Sequence, residues 1–291
     1  MAKKMRYLVL GASGMAGHMI SLFLQEQGHE VVGFCRRKVP YVKTIVGDAA
    51  DIPLLEEIIR NGKYDIVINV IGILNQYAET EKEKAVFLNS YLPHLLARIT
   101  QQMDTRIIHL STDCVFSGKE GRYKEDSFRD GESFYDRTKA VGELEDEKNL
   151  TLRTSIVGPD IHADGIGLFN WFMKQQTGVK GYTKVMWTGV TTLQLAKVME
   201  EAAWKGAAGL YHMVYKENIS KYELLKLFNH YFREDMIKII PDSTLRIDKT
   251  LVRTRFDFDY EIPDYERMVS ELAVWVKQHS YLYPLYDLQI G

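Results

Sequence analysis

Tyr135 and Lys139 stand four residues apart in SFYDRTK, and Ser111 and Thr112 lie upstream at the end of an apolar run. If the chain is helical from about Phe134, that spacing puts the phenol and the ammonium on one face, with Cβ atoms roughly 6 Å apart. A cation so near favours the phenolate. Tyrosine starts near a pKa of about 10, and bringing it within about two units of neutrality needs roughly 3 kcal/mol, which a fixed lysine and an oxidised nicotinamide ring would supply jointly. A phenol so tuned exchanges protons with a carbonyl or an alcohol, and the Thr112 hydroxyl, with Ser111 as fallback, would hydrogen-bond the same oxygen. The pair decides little by itself, because Tyr222 and Lys226 repeat the spacing in SKYELLKLFNHYF. There Leu224, Leu225, Leu227, Phe228 and Phe232 recur at helical intervals, and core packing explains it.

Position must therefore single out Tyr135, and the elements before it do so. The apolar run Tyr7 to Leu10 leads directly into Gly11, Gly14 and Gly17, followed by an amphipathic stretch, His18 to Gln27, that Gly28 ends. Strand, glycine turn and helix are the context in which GxxGxxG binds a dinucleotide. Gly11 makes the tight turn, Gly14 lets backbone amides approach a pyrophosphate, and Gly17 packs the helix closely, with Ser13 and Met15 in the same loop. The next strand, Glu30 to Phe34, ends at Cys35, where an acid would accept the ribose hydroxyls of NAD(H); Arg36 and Arg37 follow and suit the 2′-phosphate of NADP(H). A third strand, Thr44 to Val46, runs to Asp48, which reads either as an acceptor for the adenine amino group or as a turn acid. A helix from Leu54 to Asn61 comes next.

YDIVINVIG, Tyr64 to Gly72, is the continuous apolar pattern of a parallel strand buried on both faces, and Gly72 would let backbone pass near the cofactor. Glu79 to Gln102 reads as a long helix broken near Pro93, with Asn89 as a buried amide served by a water or lysine near the site. Arg106 to Leu110 is then the strand that delivers Ser111 and Thr112. Alternating strands and helices predict an α/β fold with a Rossmann-type doubly wound parallel sheet, its site at the carboxyl ends of the strands. Thr112, Tyr135 and the glycine loop all come to that edge.

The helix of Tyr135 is expected to continue to Lys148, with a sixth strand from Leu150 to Val157. After Gly158 and Pro159 the pattern changes. Residues 1–158 read as an NADP-binding Rossmann domain and 159–291 as a smaller substrate lobe, some of whose segments return to the first domain. In that second part helices are expected at Phe169 to Gln176, Leu193 to Trp204, around Tyr222, and at Tyr265 to His279. Strands are expected at Leu210 to Val214 and Ile237 to Ile240. Asn170, Lys180, Lys184, Arg246, Arg253 and Arg255 are its candidates for a charged substrate, since arginine pairs bidentately with phosphate; a solvated surface is the alternative for each.

Composition narrows the class. Across 291 residues, 46% are hydrophobic, enough for a real core, and the net charge of −2 argues against general nucleic-acid or membrane-surface binding. No run approaches about 18 apolar residues, and the start MAKKMRYLVLGASG reads as a first strand and not a signal peptide, so a soluble cytoplasmic protein is expected. Cys35 and Cys114 lie far apart without a partner motif and read as buried thiols, with no metal site. The oligomeric state is left open, a homodimer among the options.

GASGMAG, STDCVFSG, YDRTKAVGE and LRTSIVGP, taken in order, resemble the extended short-chain dehydrogenase/reductases. Within these the chain looks most like the dTDP-4-dehydrorhamnose reductase family of nucleotide-sugar reductases. WTGVTTLQLA and GLYHMV are similar to later family segments, more loosely. The resemblance implies a catalytic Thr112, Tyr135 and Lys139, the last two also touching the cofactor, with the glycine loop holding NADP(H). It also implies a nucleotide-sugar substrate between the lobes, for which Asn170, Trp187, Arg246 and Arg253 are the residues of choice. Departures fall on the substrate side. Cys114 stands in place of Tyr, Asp136 in place of Gly, RDGES lacks a proline before Tyr135, and a proline near Thr191 is missing. Arg246 and Ile247 replace an arginine-proline pair. An epimerase or dehydratase recycling a tightly held NAD, and a non-catalytic NADP-binding regulatory subunit, are the rival readings.

Overall fold

The structure, a computed structural model, describes residues 4–286. Alternation along the first strand organises it. In β1 (Arg6–Leu10), Tyr7 and Val9 enter one apolar layer while Leu8 and Leu10 enter another, all four fully buried. Burial on both faces is what a parallel strand between two helical layers requires, and each such side chain contributes about 1.5–3 kcal/mol. α1 (Met15–Glu26), β2 (Glu30–Cys35), β3 (Lys43–Val46), α2 (Ile52–Gly62) and β4 (Ile66–Asn69) complete the first winding.

The long helix expected from Glu79 to Gln102 is instead α3 (Asn75–Thr80), α4 (Lys82–Ala85), a π-helical turn (Val86–Tyr91) and α5 (Leu92–Thr100). The irregularity precedes Pro93, which occupies the first turn of α5, where a missing N–H costs nothing. β5 (Arg106–Ser111) follows, then a short 3₁₀ turn (Asp113–Val115) and α6 (Phe134–Val141). α6 stops well before Lys148, because Gly142 crosses the π turn. A Cβ there would stand 1.9 Å from the Asn89 carbonyl oxygen.

The strand expected from Leu150 to Val157 divides at Thr154. β6 (Leu150–Arg153) joins the main sheet, while β7 (Ser155–Val157) pairs with β9 (Gly189–Thr191) elsewhere. Between them lie α7 (Leu168–Met173) and β8 (Val179–Trp187), and beyond them α8 (Thr192–Lys205) and β10 (Gly209–His212). β11 (Ile219–Ser220), α9 (Lys221–Arg233), β12 (Ile239–Asp248) and α10 (Tyr265–Gln278) end the order. β8 sits between β11 and β12 in a second sheet; the sequence hid it behind glycines and alternating charges.

The main sheet has seven parallel strands in the order β3-β2-β1-β4-β5-β6-β10. Strand order reverses between β1 and β4, and such a switch point opens a crevice at the carboxyl ends of the strands.

Candidate active site

At the switch point two loops face each other. After β1, Gly11 takes φ +89°, a conformation open to glycine, and its missing side chain would meet Ile71 of the loop after β4. Gly17 is required by contact, since a Cβ would lie 2.0 Å from the Gly11 carbonyl oxygen. Gly14 is different: a Cβ there would meet only that oxygen, at 3.5 Å, and would otherwise stand in open space. α1 starts at Gly14 with no side-chain cap and no acid in its first turn. α3 and α7 also start without a cap, whereas α2, α6, α8, α9 and α10 are capped by Asp51, Ser133, Thr191, Ser220 and Asp264. Open space beside free amides at a helix start fits the pyrophosphate of a dinucleotide.

The other expected cofactor residues surround this loop. Ser13 presents its carbonyl to His162 Nε2 at 3.0 Å, and Met15 lies against Gly167. Arg36 and Arg37 are exposed directly after β2. Asp48 accepts the Ala50 N–H at 2.9 Å and so serves the turn. Gly72 is exposed beside Asn89 Oδ1. Asn89 itself is fully buried, and its partners in the chain are Ile73 and Thr138, with no lysine among them. Its amide accepts from Ile73 N–H at 2.9 Å and donates to the Ile73 carbonyl at 3.0 Å and to Thr138 Oγ1 at 3.1 Å. It clamps the β4–α3 loop onto α6.

β5 delivers two hydroxyls to opposite faces, as strand alternation demands. Ser111 turns inward and donates to Glu143 Oε1 at 2.6 Å. Glu143 is held by Arg153, through Nε at 2.8 Å and Nη2 at 2.6 Å, and by Arg129. These cations keep its carboxyl below the usual range against the cost of burial. Ser111 is thus occupied and drops out as a fallback catalytic group. Thr112 stays on the cleft side, accepting the Cys114 N–H at 3.1 Å and donating to Asp113 Oδ1 at 3.2 Å.

A capping box formed by Ser133 and Asp136 starts α6 and sets Tyr135, which packs against Ala78 and Ala85. Burial pushes this phenol well above its ordinary range, negative charge at Cys114 and Asp113 acts in the same sense, and the Thr112 hydroxyl beside it pulls back. Lys139 is not among the main influences on the phenol in the ligand-free chain, where the expectation had it act jointly with an oxidised nicotinamide ring. Its ammonium turns to the Leu110 carbonyl, 2.8 Å away, and burial lowers Lys139 to about 8 with Glu143 opposing. Tyr135 is accordingly a protonated phenol at neutral pH.

Of the substrate-side candidates, one is closed off and one clamps its own loop at the wall of a cavity of about 420 Å³. Asn170 is fully buried, donating to the Gly165 carbonyl and accepting from the Tyr286 hydroxyl at 3.0 Å. Arg253 donates to the carbonyls of Arg255, Phe258 and Tyr260 and clamps its own loop. Arg246 is exposed on β12 opposite Lys184, and Trp187 is buried at the end of β8. Lys180 pairs with Asp242, and Arg255 with Asp257. The structure adds Lys221 and Lys249, which sequence reasoning missed. Lys221 lies 5.0 Å over the Trp187 ring, and its charge with that of Lys249 opposes the burial that raises Asp113, next to Thr112. Burial takes Lys221 itself to about 8. Both are far in sequence from the catalytic segment, and the one available signal was Asp136, whose carboxylate lies 4.0 Å from Lys249.

Residues 5–255 match the model of the RmlD substrate binding domain family. The chain belongs to that family. It is 30% identical over 141 residues to a dTDP-4-dehydrorhamnose reductase of Mycolicibacterium smegmatis, a match covering 47% of this chain and 40% of the relative. It is 23% identical over 292 residues to a dTDP-4-keto-6-deoxy-D-glucose reductase of Streptomyces niveus, covering 96% and 97%. The chain spans about half the length of the more identical curated relatives it matches. Its fold is shared by a dTDP-4-dehydrorhamnose reductase of Bacillus anthracis solved in complex with NADP, with a TM-score of 0.78, 19% identity, and 94% and 99% of the two chains covered. Both the family and the Rossmann-type fold expected from the motifs are therefore the ones found. In this RmlD-family chain two of the departures, Cys114 and Asp136, lie close to Lys249.

Proposed function

We propose that this protein reduces the 4-keto group of a nucleoside-diphosphate-linked 6-deoxy sugar, with NADPH as reductant. The observation that carries the reading is the pair of hydroxyls, Thr112 and Tyr135, set at the carboxyl edge of the sheet beside an uncapped helix start and its glycine loop. Gly11, Ser13, Gly14, Met15, Gly17 and Gly72 would hold the cofactor, and exposed Arg36 and Arg37 would take the 2′-phosphate. When bound there, the cofactor supplies the hydride.

The residues of the chain then have defined tasks. Thr112 donates a hydrogen bond to the substrate oxygen, and Tyr135 gives it a proton as negative charge develops. The buried phenol carries its proton, as a donor must, and the approach of Lys139 would make it a stronger acid by opposing the burial that raises it. A reductase needs the phenol charged with its proton before the step, and an alkoxide is a stronger base than a phenolate. Lys139 must leave Leu110 to approach Tyr135 or a bound ribose. Lys221 and Lys249 bring positive charge to the same side of the cleft, which suits an anionic nucleotide sugar.

Tyr135→Phe tests the reading. Turnover of NADPH with nucleotide-linked 4-keto sugars should fall by about 10² or more while NADPH binding holds nearly constant. Unchanged turnover would remove the assignment, and NAD copurifying with the protein without net NADPH consumption would point to an epimerase or dehydratase.

A further inference from the structure

Asn69 at the end of β4 and His109 within β5 face each other across the sheet, fully buried and unused by the chemistry above. Asn69 Oδ1 accepts the Ile71 N–H at 3.2 Å, which fixes the amide. Its NH₂ group then points to His109 Nδ1 at 3.2 Å. An amide NH₂ donates and cannot accept, so Nδ1 is the bare nitrogen and a neutral ring carries its proton on Nε2. The ring is neutral, since burial holds His109 well below its usual range.

Nε2 lies 3.4 Å from Lys139 Nζ, and Nζ donates to the Leu110 carbonyl at 2.8 Å. An ammonium has three donors and no lone pair; an amine has two donors and one lone pair. The amine alone can meet both neighbours, accepting from Nε2–H and donating to Leu110.

We propose that Asn69 and His109 are positioning residues for Lys139, the Asn69 amide setting the His109 tautomer and the Nε2–H so presented favouring the amine form of the lysine. This rests on the reading of Lys139 as the lysine of the catalytic trio. The groups around Lys139 are His109 from β5, with His94 of α5 beyond it, Tyr135 on the same helix, and Glu143 just past it. Glu143 favours the ammonium, but Arg153 and Arg129 already claim its oxygens. The donor from His109 acts in the same sense as burial. Cofactor binding that draws Lys139 off His109 and toward a ribose would then be accompanied by proton uptake.

The test reads the lysine and not turnover. In the ligand-free full chain labelled with ¹³C at lysine Cε, the Lys139 resonance, identified by its loss in Lys139→Arg, should titrate at about 8 or below. His109→Leu removes the donor and should move the midpoint up by about one unit or more. Asn69→Leu removes the NH₂ that keeps Nδ1 bare and adds no charge, so the proton is no longer held on Nε2 and the midpoint should move the same way. A wild-type midpoint near the ordinary value of about 10.4, or a midpoint unmoved in either folded variant, overturns the proposal. If His109→Leu does not fold, Asn69→Leu decides. The outcome is independent of whether any keto sugar is turned over, so failure of the reductase reading and failure of this one are distinguishable.

Discussion

Adjacent hydroxyls on β5 have opposite duties, and single substitutions should separate them. Ser111→Ala removes a donor from a buried carboxylate and should cost about 1–3 kcal/mol in denaturant unfolding, with turnover kept within a few-fold. Thr112→Ala should lower turnover by about 10 to 10² with stability nearly unchanged. If the two effects appear on the other residue, the assignment of Thr112 fails. Thr112, Tyr135 and Lys139 were legible because they lie close in one segment with a recognisable spacing. Lys221, Lys249 and His109 were not, because their significance comes from partners on other elements. The direction of the Tyr135 shift was also invisible from spacing, which shows a neighbouring cation but not the burial that outweighs it.

The elements show the same division. β1, the glycine turn and α1 could be read from one short run, since the turn chemistry is local. The π turn could not, because it lies inside an otherwise helical pattern and its close contact with Gly142 comes from a distant segment. β8 and β12 were missed or shortened because half-exposed strands with glycine and charge carry a weak period. The glycine loop gives a contrast at this scale. Gly14→Ala fits the fold, yet its methyl would occupy the open space before the α1 amides, so NADP(H) affinity should fall at least tenfold with little change in melting temperature. Gly17→Ala must displace the Gly11 carbonyl, and should lower both affinity and stability, the latter by about 1–3 kcal/mol. Calorimetric binding and thermal unfolding on both variants check this. Equal loss of stability in the two would contradict the geometry.

In the molecule as a whole, stability should depend on pH through its buried imidazoles. Burial lowers both His18 and His212 to about 4. His18 lies between the Gly14 carbonyl and the Tyr283 hydroxyl, and His212 between Arg153 and the Val252 carbonyl. Unfolded, each titrates near 6.5, so between that value and about 4 the unfolded chain binds protons that the folded chain refuses, and stability falls as pH falls. Each can contribute up to about 3 kcal/mol to that loss. Buried His109 is held low as well, so denaturant titrations from pH 7 to 4.5 should show the unfolding free energy dropping with a slope approaching three protons. A flat profile across that window would exclude it. His212 also belongs to β10, which completes the main sheet from beyond the second lobe's β7 and β9. Residues 1–158 alone lack that strand and should not give a cooperative unfolding transition by circular dichroism. The doubly wound order was legible from alternating elements, while the return of β10 depends on pairing across a long separation and leaves no local mark.

Thr154 is the single residue between β6 and β7, and those two strands belong to different sheets. In mechanical terms this is a very short tether. A load applied to the small β7–β9 sheet, whether by a molecule seated in the cleft or by a partner pressing from outside, passes along one extended backbone into β6. β6 is hydrogen-bonded to β5, and β5 ends at the Thr112 hydroxyl. Force on the β7–β9 sheet would therefore reach the end of β5 as tension in a strand, with little slack for a loop to absorb it.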